Sequence, residues 1–283
     1  MKLCISQATT LSTPFEADLD AYAGAGWSAV ELWLTKLENY LGSHSIADAR
    51  GLLEARGIEP VAAASQGGLL LSRDAERVAH WDLFRRRLDL LAELRVPTLV
   101  VAVDFVREMV AEDYGRAVAS LVGAAELAGR SGVRLAVEFQ KNARFCSSLD
   151  TTLALIAQSG AQGLGVCLDV FHYYTGPSKF EDLAYLSRDN LAWVQVSDIS
   201  GVPRELAGDA DRILPGEGDF QIDPILDHLA SIGYDGFVSL EVLNPQLWSI
   251  PADQVANAGR QAMTRLLGRF GPAPHGSSPR GQS

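Results

Sequence analysis

Short apolar runs rich in β-branched residues alternate with longer segments whose apolar residues recur at helical spacing. The apolar runs lie at residues 3–8, 28–34, 60–65, 97–103, 134–139, 164–169, 192–197 and 236–242. Unbroken apolar runs are typical of parallel strands that are covered on both faces. The segments predicted as helices lie at about 14–25, 36–56, 73–95, 112–131, 148–159, 180–188, 221–232 and 252–269. Their apolar and charged residues fall on opposite helical faces, most clearly in 73–95.

Eight alternating strand and helix units predict an α/β fold, either a closed (β/α)8 barrel or an open doubly wound sheet. A dinucleotide-binding open sheet would carry the glycine pattern GxGxxG after its first strand. Here the first strand continues into QATTLSTPF, and the chain has no phosphate-binding P-loop motif. The count and the chain length fit the barrel. We therefore predict a single-domain (β/α)8 TIM barrel over residues 1–269, followed by a disordered tail at 270–283 that is rich in Gly, Pro and Ser.

Composition narrows the classes of partner. The chain has 35 acidic and 24 basic residues, a formal net charge of −11, which argues against nucleic acids and anionic membranes as partners. Its three cysteines form no CxxC pair, so a disulfide scaffold is not expected and a reducing compartment is. The N-terminus does not resemble a signal peptide, and no apolar run is long enough to span a membrane. We expect a cytoplasmic protein.

Candidate chemistry lies where the later strands end. The active site of such a barrel lies at the carboxyl ends of its strands. Four consecutive predicted strands each place an oxygen-bearing side chain there: Glu138, Asp169, Gln195 and Glu241. A second group of polar residues lies near the same ends: His172, Asp198, Glu31 and Asp104.

Carboxylates inside apolar strands indicate a bound cation. A buried carboxylate must be paired, protonated or bound to a metal, and a divalent cation cancels the repulsion between converging carboxylates. An all-oxygen set that includes an amide carbonyl suits Mn²⁺ or Mg²⁺ better than Zn²⁺. We predict that one divalent metal ion is held by the four strand-end residues, with Mn²⁺ favoured over Mg²⁺, Co²⁺ or Zn²⁺. These residues are Glu138, Asp169, Gln195 and Glu241. The alternative is that these residues cap loops or pair with arginines.

Six segments resemble the xylose-isomerase-like barrel superfamily, which includes sugar isomerases and epimerases, hydroxypyruvate isomerases, ketocyclitol dehydratases and repair endonucleases. They are VELW at 30–33, VEF at 137–139, LDVFH at 168–172, VQVSD at 194–198, DADRILPGEGDF at 209–220 and SLEV at 239–242. The resemblance covers about residues 3–268. It implies the barrel fold and a metal-dependent reaction, and it does not choose one activity.

The resemblance also assigns roles to individual residues. It matches the four strand-end residues to the metal ligands of the superfamily. The third ligand is often a histidine there, whereas here it is Gln195, as in the hydroxypyruvate isomerase branch. Four further residues are predicted to bind substrate: His172, Arg212, Glu31 and Asp198.

The predicted reaction is metal-assisted proton transfer next to a carbonyl, with Glu138 and Glu241 as the acid/base pair implied by the resemblance. Return of the proton gives an isomerase or epimerase of a keto sugar or related small polyol. Loss of a leaving group instead gives a lyase or dehydratase acting on a ketocyclitol, a dehydroshikimate-type acid or an oxidised glycoside. The expected partner is a small carbohydrate or cyclitol, and barrels of this kind commonly form homo-oligomers.

Two other classes fit less well. An endonuclease with three zinc ions needs many histidine ligands, and only His172 of the five histidines falls at a strand end. A non-catalytic sugar-binding barrel remains an alternative, although all four ligand positions carry suitable donors.

Overall fold

The computed structural model describes residues 1–105 and 108–270 of the 283. Almost all of the predicted tail therefore lies outside the described residues. Its first residue, Phe270, ends a 3₁₀ helix, Gly268–Phe270, and packs against the core. The described structure thus includes one residue that was predicted to belong to the tail.

Eight parallel strands form a closed barrel in sequence order, and the last strand pairs with the first. The strands are β1 Lys2–Ser6, β2 Ala29–Trp33, β3 Glu59–Gln66, β4 Thr98–Ala102, β5 Arg134–Glu138, β6 Leu164–Asp169, β7 Leu191–Val196 and β8 Phe237–Leu240. This confirms the predicted fold class and the position of every predicted strand to within a few residues.

Ten α-helices surround the barrel within residues 1–105 and 108–270. They are α1 Phe15–Gly24, α2 Leu34–Leu41, α3 Ile46–Ala55, α4 Asp74–Leu94, α5 Ala111–Arg130, α6 Leu149–Ser159, α7 Val170–Thr175, α8 Ile222–Ser231, α9 Pro245–Trp248 and α10 Ala252–Leu267. No helix in the described part of the chain is long and apolar enough to cross a membrane.

Two helix predictions were wrong. The single helix expected at 36–56 is interrupted, because Ser45 and Asp48 form a capping box that begins a new helix, α3. The helix expected at 180–188 is a 3₁₀ helix, Phe180–Tyr185, and the short helix α7 directly after β6 was not predicted.

Two layers of core explain how the site is held. The larger apolar cluster fills the space between strands and helices, and a smaller one lies inside the barrel. Small residues such as Ala136 and Cys167 belong to the inner cluster. Successive side chains of a strand point to opposite faces, so Glu138 and Asp169, two positions further on, also point inward. The strands thus end in polar side chains above an apolar floor.

Candidate active site

A pocket of about 220 Å³ opens at the carboxyl ends of the strands. Five of its lining residues come from the predicted site: Glu138, His172, Gln195, Arg212 and Glu241. The rest of the wall consists of Trp33, Ala64, Ser65, Ala102, Phe105, Gln140, Asp209 and Leu243. The pocket therefore lies where the barrel fold requires an active site to be.

Glu138, Asp169 and His172 form a cluster of potential metal ligands. One donor atom from each lies within 4.8 Å of the others, and all three side chains are buried. His172 Nε2 is 3.6 Å from Asp169 Oδ2 and 3.9 Å from Glu138 Oε1. Sequence reasoning placed His172 near the substrate. The structure places it in the pocket wall and also among the potential metal ligands.

Helix α7 explains the position of this histidine. Asp169 is the N-cap of α7, because its Oδ1 accepts a hydrogen bond of 2.8 Å from the backbone N–H of Phe171. His172 follows one turn later and so lies on the same side as the cap. Burial, followed by the positive charge of Arg212, lowers the pKa of His172 to about 3. The imidazole is therefore neutral at physiological pH, the form that binds metals.

Asp169 Oδ2 has an ion-pair partner but lacks a hydrogen bond within the part of the chain that is described. It is buried and has no hydrogen bond of acceptable geometry among the described residues. Its nearest cation is Arg212 Nη1, at an ion-pair distance of 2.9 Å. A buried carboxylate oxygen without a hydrogen bond is costly, and a metal ion would satisfy it.

Arg212 lies at the centre of the pocket wall and is 1% exposed. Besides Asp169, its guanidinium contacts Glu241 Oε2 at 3.4 Å and Asp209 Oδ1 at 2.9 Å, and it stacks on the ring of Phe171. Burial alone would lower the pKa of Arg212, but these carboxylates raise it above its ordinary value. The arginine is therefore a fixed positive charge, in the place where sequence reasoning expected it.

Glu241 faces the cluster from the opposite side. Its Oε1 accepts a hydrogen bond of 2.9 Å from Gln195 Nε2, and its Oε2 contacts Arg212. Burial and the charge of Glu31 raise the pKa of Glu241 well above its usual range. Burial and the charge of Asp169 do the same for Glu138. Two carboxyl groups with raised pKa values therefore share the pocket, as is common at functional sites.

Gln195 differs from its predicted role. Its Nε2 donates to Glu31 Oε1 at 2.7 Å as well as to Glu241, and its Oε1 accepts from the thiol of Cys167 at 3.1 Å. In this orientation the amide nitrogen satisfies two carboxyl groups and the amide oxygen accepts from the thiol. The oxygen that was predicted to bind the metal is turned towards Cys167.

Glu31 and Asp198 were predicted to contact substrate, and the structure gives both another role. Neither residue lines the pocket, and both are fully buried. Glu31 lies beneath Gln195 and also accepts a hydrogen bond from Trp193 Nε1 at 3.1 Å. Burial raises the pKa of Glu31 to about 7. Its carboxyl group holds the amide of Gln195 in place.

Asp198 organises the loop that carries Arg212. Its Oδ1 accepts from the backbone N–H of Ile199 and Phe220, at 2.9 Å each. Its Oδ2 accepts from the N–H of Gly216 and Gly218, at 3.0 and 3.1 Å. One carboxylate thus ties both ends of the loop after β7 together.

Comparison with known proteins decides the family. The family described as xylose isomerase-like TIM barrel matches residues 19–266, which is most of the chain. The chain belongs to this family. The prediction made from the sequence motifs is thereby confirmed.

Relatives of this xylose isomerase-like barrel carry several activities. An inosose isomerase of Halalkalibacterium halodurans is 25% identical over 278 residues, which are 95% of this chain and 97% of that protein. A 3-dehydroshikimate dehydratase of Pseudomonas putida is 25% identical over 262 residues, which are 91% of this chain but 40% of that longer protein. The crystal structure of the IOLI protein with a bound zinc atom superimposes with a TM-score of 0.90 at 22% identity and covers 96% of this chain and all of that one. The last comparison supports the fold.

Two residues of the site in this xylose isomerase-like barrel were missed by sequence reasoning. Asp209 pairs with Arg212 three positions later, and Phe171 forms the surface on which the guanidinium stacks. The DADR segment contained the signal for Asp209, since an acid three residues before an arginine commonly pairs with it. Phe171 is adjacent to His172, and its sequence context predicts only a buried core residue.

Proposed function

We propose that this chain is a metal-dependent isomerase or epimerase of a small keto cyclitol or keto sugar. The observation that carries the proposal is the cluster of Glu138, Asp169 and His172, with a third carboxyl group, that of Glu241, in the same pocket. The match to inosose isomerases along almost their whole length supports the reaction class. The pocket volume of about 220 Å³ suits one small ring, because it lies below the range of roughly 300–1,000 Å³ that holds drug-sized ligands.

The residues fit a divalent cation. Glu138, Asp169 and His172 offer two carboxylate oxygens and one neutral imidazole, and Asp169 Oδ2 lacks a hydrogen bond. A bound cation would polarise the substrate carbonyl and make the neighbouring C–H bond more acidic. We propose Mn²⁺ as the physiological ion, because the set is mainly oxygen. Zn²⁺ is the strongest competitor, because imidazole suits it.

The side chains of the pocket divide the remaining work. Glu241 and Glu138 remove and return the proton, since both carboxyl groups line the pocket. Gln195 holds Glu241 through its amide N–H, and Arg212 places a positive charge beside Asp169 and Glu241. Arg212 also offers the positive charge that would bind a substrate oxygen in the closed pocket.

The dehydratase is the second candidate, and the match to 3-dehydroshikimate dehydratases supports it. Both reactions begin with removal of a proton next to a carbonyl, so the pocket serves either. The fate of the substrate after that step separates them: an isomer retains every atom, whereas a dehydratase releases water.

Deuterium uptake measured by NMR tests the proposal. The metal-free protein, restored with Mg²⁺, is mixed in D₂O with inososes, keto sugars and 3-dehydroshikimate. We expect metal-dependent uptake at the carbon next to the carbonyl, with loss of about 100-fold or more in Glu241→Gln and Glu138→Gln. Glu205→Gln, which alters an exposed carboxylate of the loop after β7, is the matched control and keeps full activity. The proposal is refuted if the protein binds no divalent cation and none of these compounds takes up deuterium in its presence.

A further inference from the structure

A second and larger cavity adjoins the active site. Its volume is about 660 Å³, against about 220 Å³ for the pocket that holds Glu138 and Glu241. Its walls come from the loop after β1, the first turn of α1, and α2. Trp33, the last residue of β2, lines both spaces. A ligand that filled the active site could therefore extend past Trp33 into this cavity.

The walls have the chemistry that binds a ring with hydroxyl groups. Phe15 and Tyr40 lie with ring centroids 5.0 Å apart, and His44 stacks on Tyr40 at 4.1 Å. The polar wall residues include Ser12, Thr13 and Asn39. Tyr40 lies between the other two rings, so the three form an apolar wall for the C–H groups of a sugar or cyclitol ring. Hydroxyl and amide side chains can bond the oxygens of that ring.

A buried ion pair that the proposed reaction does not use makes this wall rigid. Lys36 pairs with Asp18 at 2.5 Å, and its ammonium group also donates to the backbone oxygens of Gln7 and Thr10. Asp18 in turn accepts from the side chains of Thr10 and Gln7. A buried ion pair gains little stability over apolar packing, so a role in fixing geometry explains it better.

The same network reaches Trp33. Gln7 Oε1 accepts the backbone N–H of Trp33 at 3.0 Å, so the loop after β1, helix α2 and the shared tryptophan form one connected unit. The cavity is therefore preformed. Preformed, mostly apolar cavities of this size with a few fixed polar groups are typical of small-molecule sites.

We propose that the natural substrate carries a second ring, a sugar or cyclitol unit joined to the reacting ring, and that this second ring binds in the cavity beyond Trp33. The inference rests on the proposed function for the reacting ring and adds the substrate class. A third space, of about 450 Å³, adjoins the pocket on its other side at Ser65, Ala102 and Phe105. It is the less suitable host, because Phe105 and His80 are its only aromatic-type wall residues among those described.

The test compares one ring with two. The probes are 3-ketoglucose and 3-ketosucrose, in which the same keto ring carries a second sugar, and the readout is kcat/KM for deuterium exchange. We expect 3-ketosucrose to be favoured by about tenfold or more, as one stacked ring with a hydrogen bond provides.

Asn39→Trp fills the cavity from an exposed position, and Glu76→Trp does the same in the third space. We expect Asn39→Trp to remove the preference for 3-ketosucrose while exchange of 3-ketoglucose stays within about two-fold of wild type. Glu76→Trp should leave both values unchanged. Tyr40→Ala should lower the preference without blocking the cavity. Thermal unfolding confirms that each variant is folded.

The outcomes are decisive. Equal or poorer use of 3-ketosucrose by the wild-type protein overturns the inference, as does a preference that Asn39→Trp leaves intact. If Glu76→Trp loses the preference and Asn39→Trp keeps it, the second ring binds in the third space, and the inference is also refuted. If neither compound exchanges, the proposed function fails for keto sugars. Calorimetric titration with 3-ketosucrose then tests the cavity alone, and binding that is equal in wild type and Asn39→Trp overturns the inference.

Discussion

The Asp198 carboxylate should contribute more to stability than any other single side chain of the loop after β7. It is fully buried and accepts four backbone hydrogen bonds, from residues 199, 216, 218 and 220. Hydrogen bonds to a charged group contribute about 1.5–3 kcal/mol each. Their sum overestimates the loss in Asp198→Ala, because the loop opens and water satisfies part of the freed N–H groups. We expect a loss of about 3–5 kcal/mol, the range for breaking a buried charged network.

This loss can be measured by thermal unfolding. At about 2–4 °C per kcal/mol, Tm should fall by roughly 6–20 °C. Asp198→Asn should be nearly as harmful, because its NH₂ group would face two N–H donors at one of the two oxygen positions. Hydrogen exchange should rise across 199–220, and activity should fall because Arg212 is carried by this loop.

A matched control lies on the same loop. Asp219 is exposed and accepts one backbone hydrogen bond, from Gly201. Asp219→Asn should change stability by no more than about 0.5 kcal/mol. If Asp198→Ala unfolds at the wild-type temperature with unchanged exchange in the loop, the carboxylate does not hold the loop and the reasoning fails.

Three further predictions concern the site and the packing behind it. Because burial raises the pKa of Glu138, the metal-free site retains a proton that a cation must displace, so metal affinity should rise with pH and binding should release protons. Calorimetry in buffers of different ionisation enthalpy measures the number of protons released. The metal affinity should show no change in pH dependence near pH 6.5, because His172 has a pKa of about 3. Gln195→Met should still bind one metal ion per chain in the same calorimetric titration. Loss of metal binding, or a much lower metal affinity, in this variant would show that Gln195 is a ligand. Gly259→Ala should cost about 1–3 kcal/mol in chemical unfolding, because its Cβ would lie 2.4 Å from a buried leucine of β8. Gly129→Ala, where the added Cβ meets open space, should be neutral or slightly stabilising.

The fold was predictable because the relevant signals are local. Apolar runs separated by helical periods indicate a parallel α/β fold wherever they occur, and their number selected the barrel. The same reasoning brought Glu138 and His172 to one pocket, because the carboxyl ends of parallel strands meet at one rim. Arg212 was expected there from the family resemblance of the segment 209–220.

The roles of Gln195, Glu31 and Asp198 were not predictable, because they depend on contacts between distant parts of the chain. The orientation of the Gln195 amide is decided by Glu31, 164 positions earlier. The role of Asp198 depends on where two glycines of the following loop place their N–H groups. A sequence shows that such side chains lie near a site, and it does not show which atoms face the pocket.

The reacting groups are distributed unevenly around the barrel. Glu138, Asp169, Gln195 and Glu241 come from the second half of the ring, at or just after the ends of β5–β8. The first half supplies wall residues of the pocket and of the larger cavity, among them Trp33, which ends β2. Mutations can therefore accumulate in the loops after β1–β4 and change which compound is admitted, while the proton-transfer apparatus is inherited intact. Such a division lets related barrels change their substrate range while they keep the same reaction mechanism. The four loops after β1–β4 are therefore the natural targets for redesign of substrate specificity.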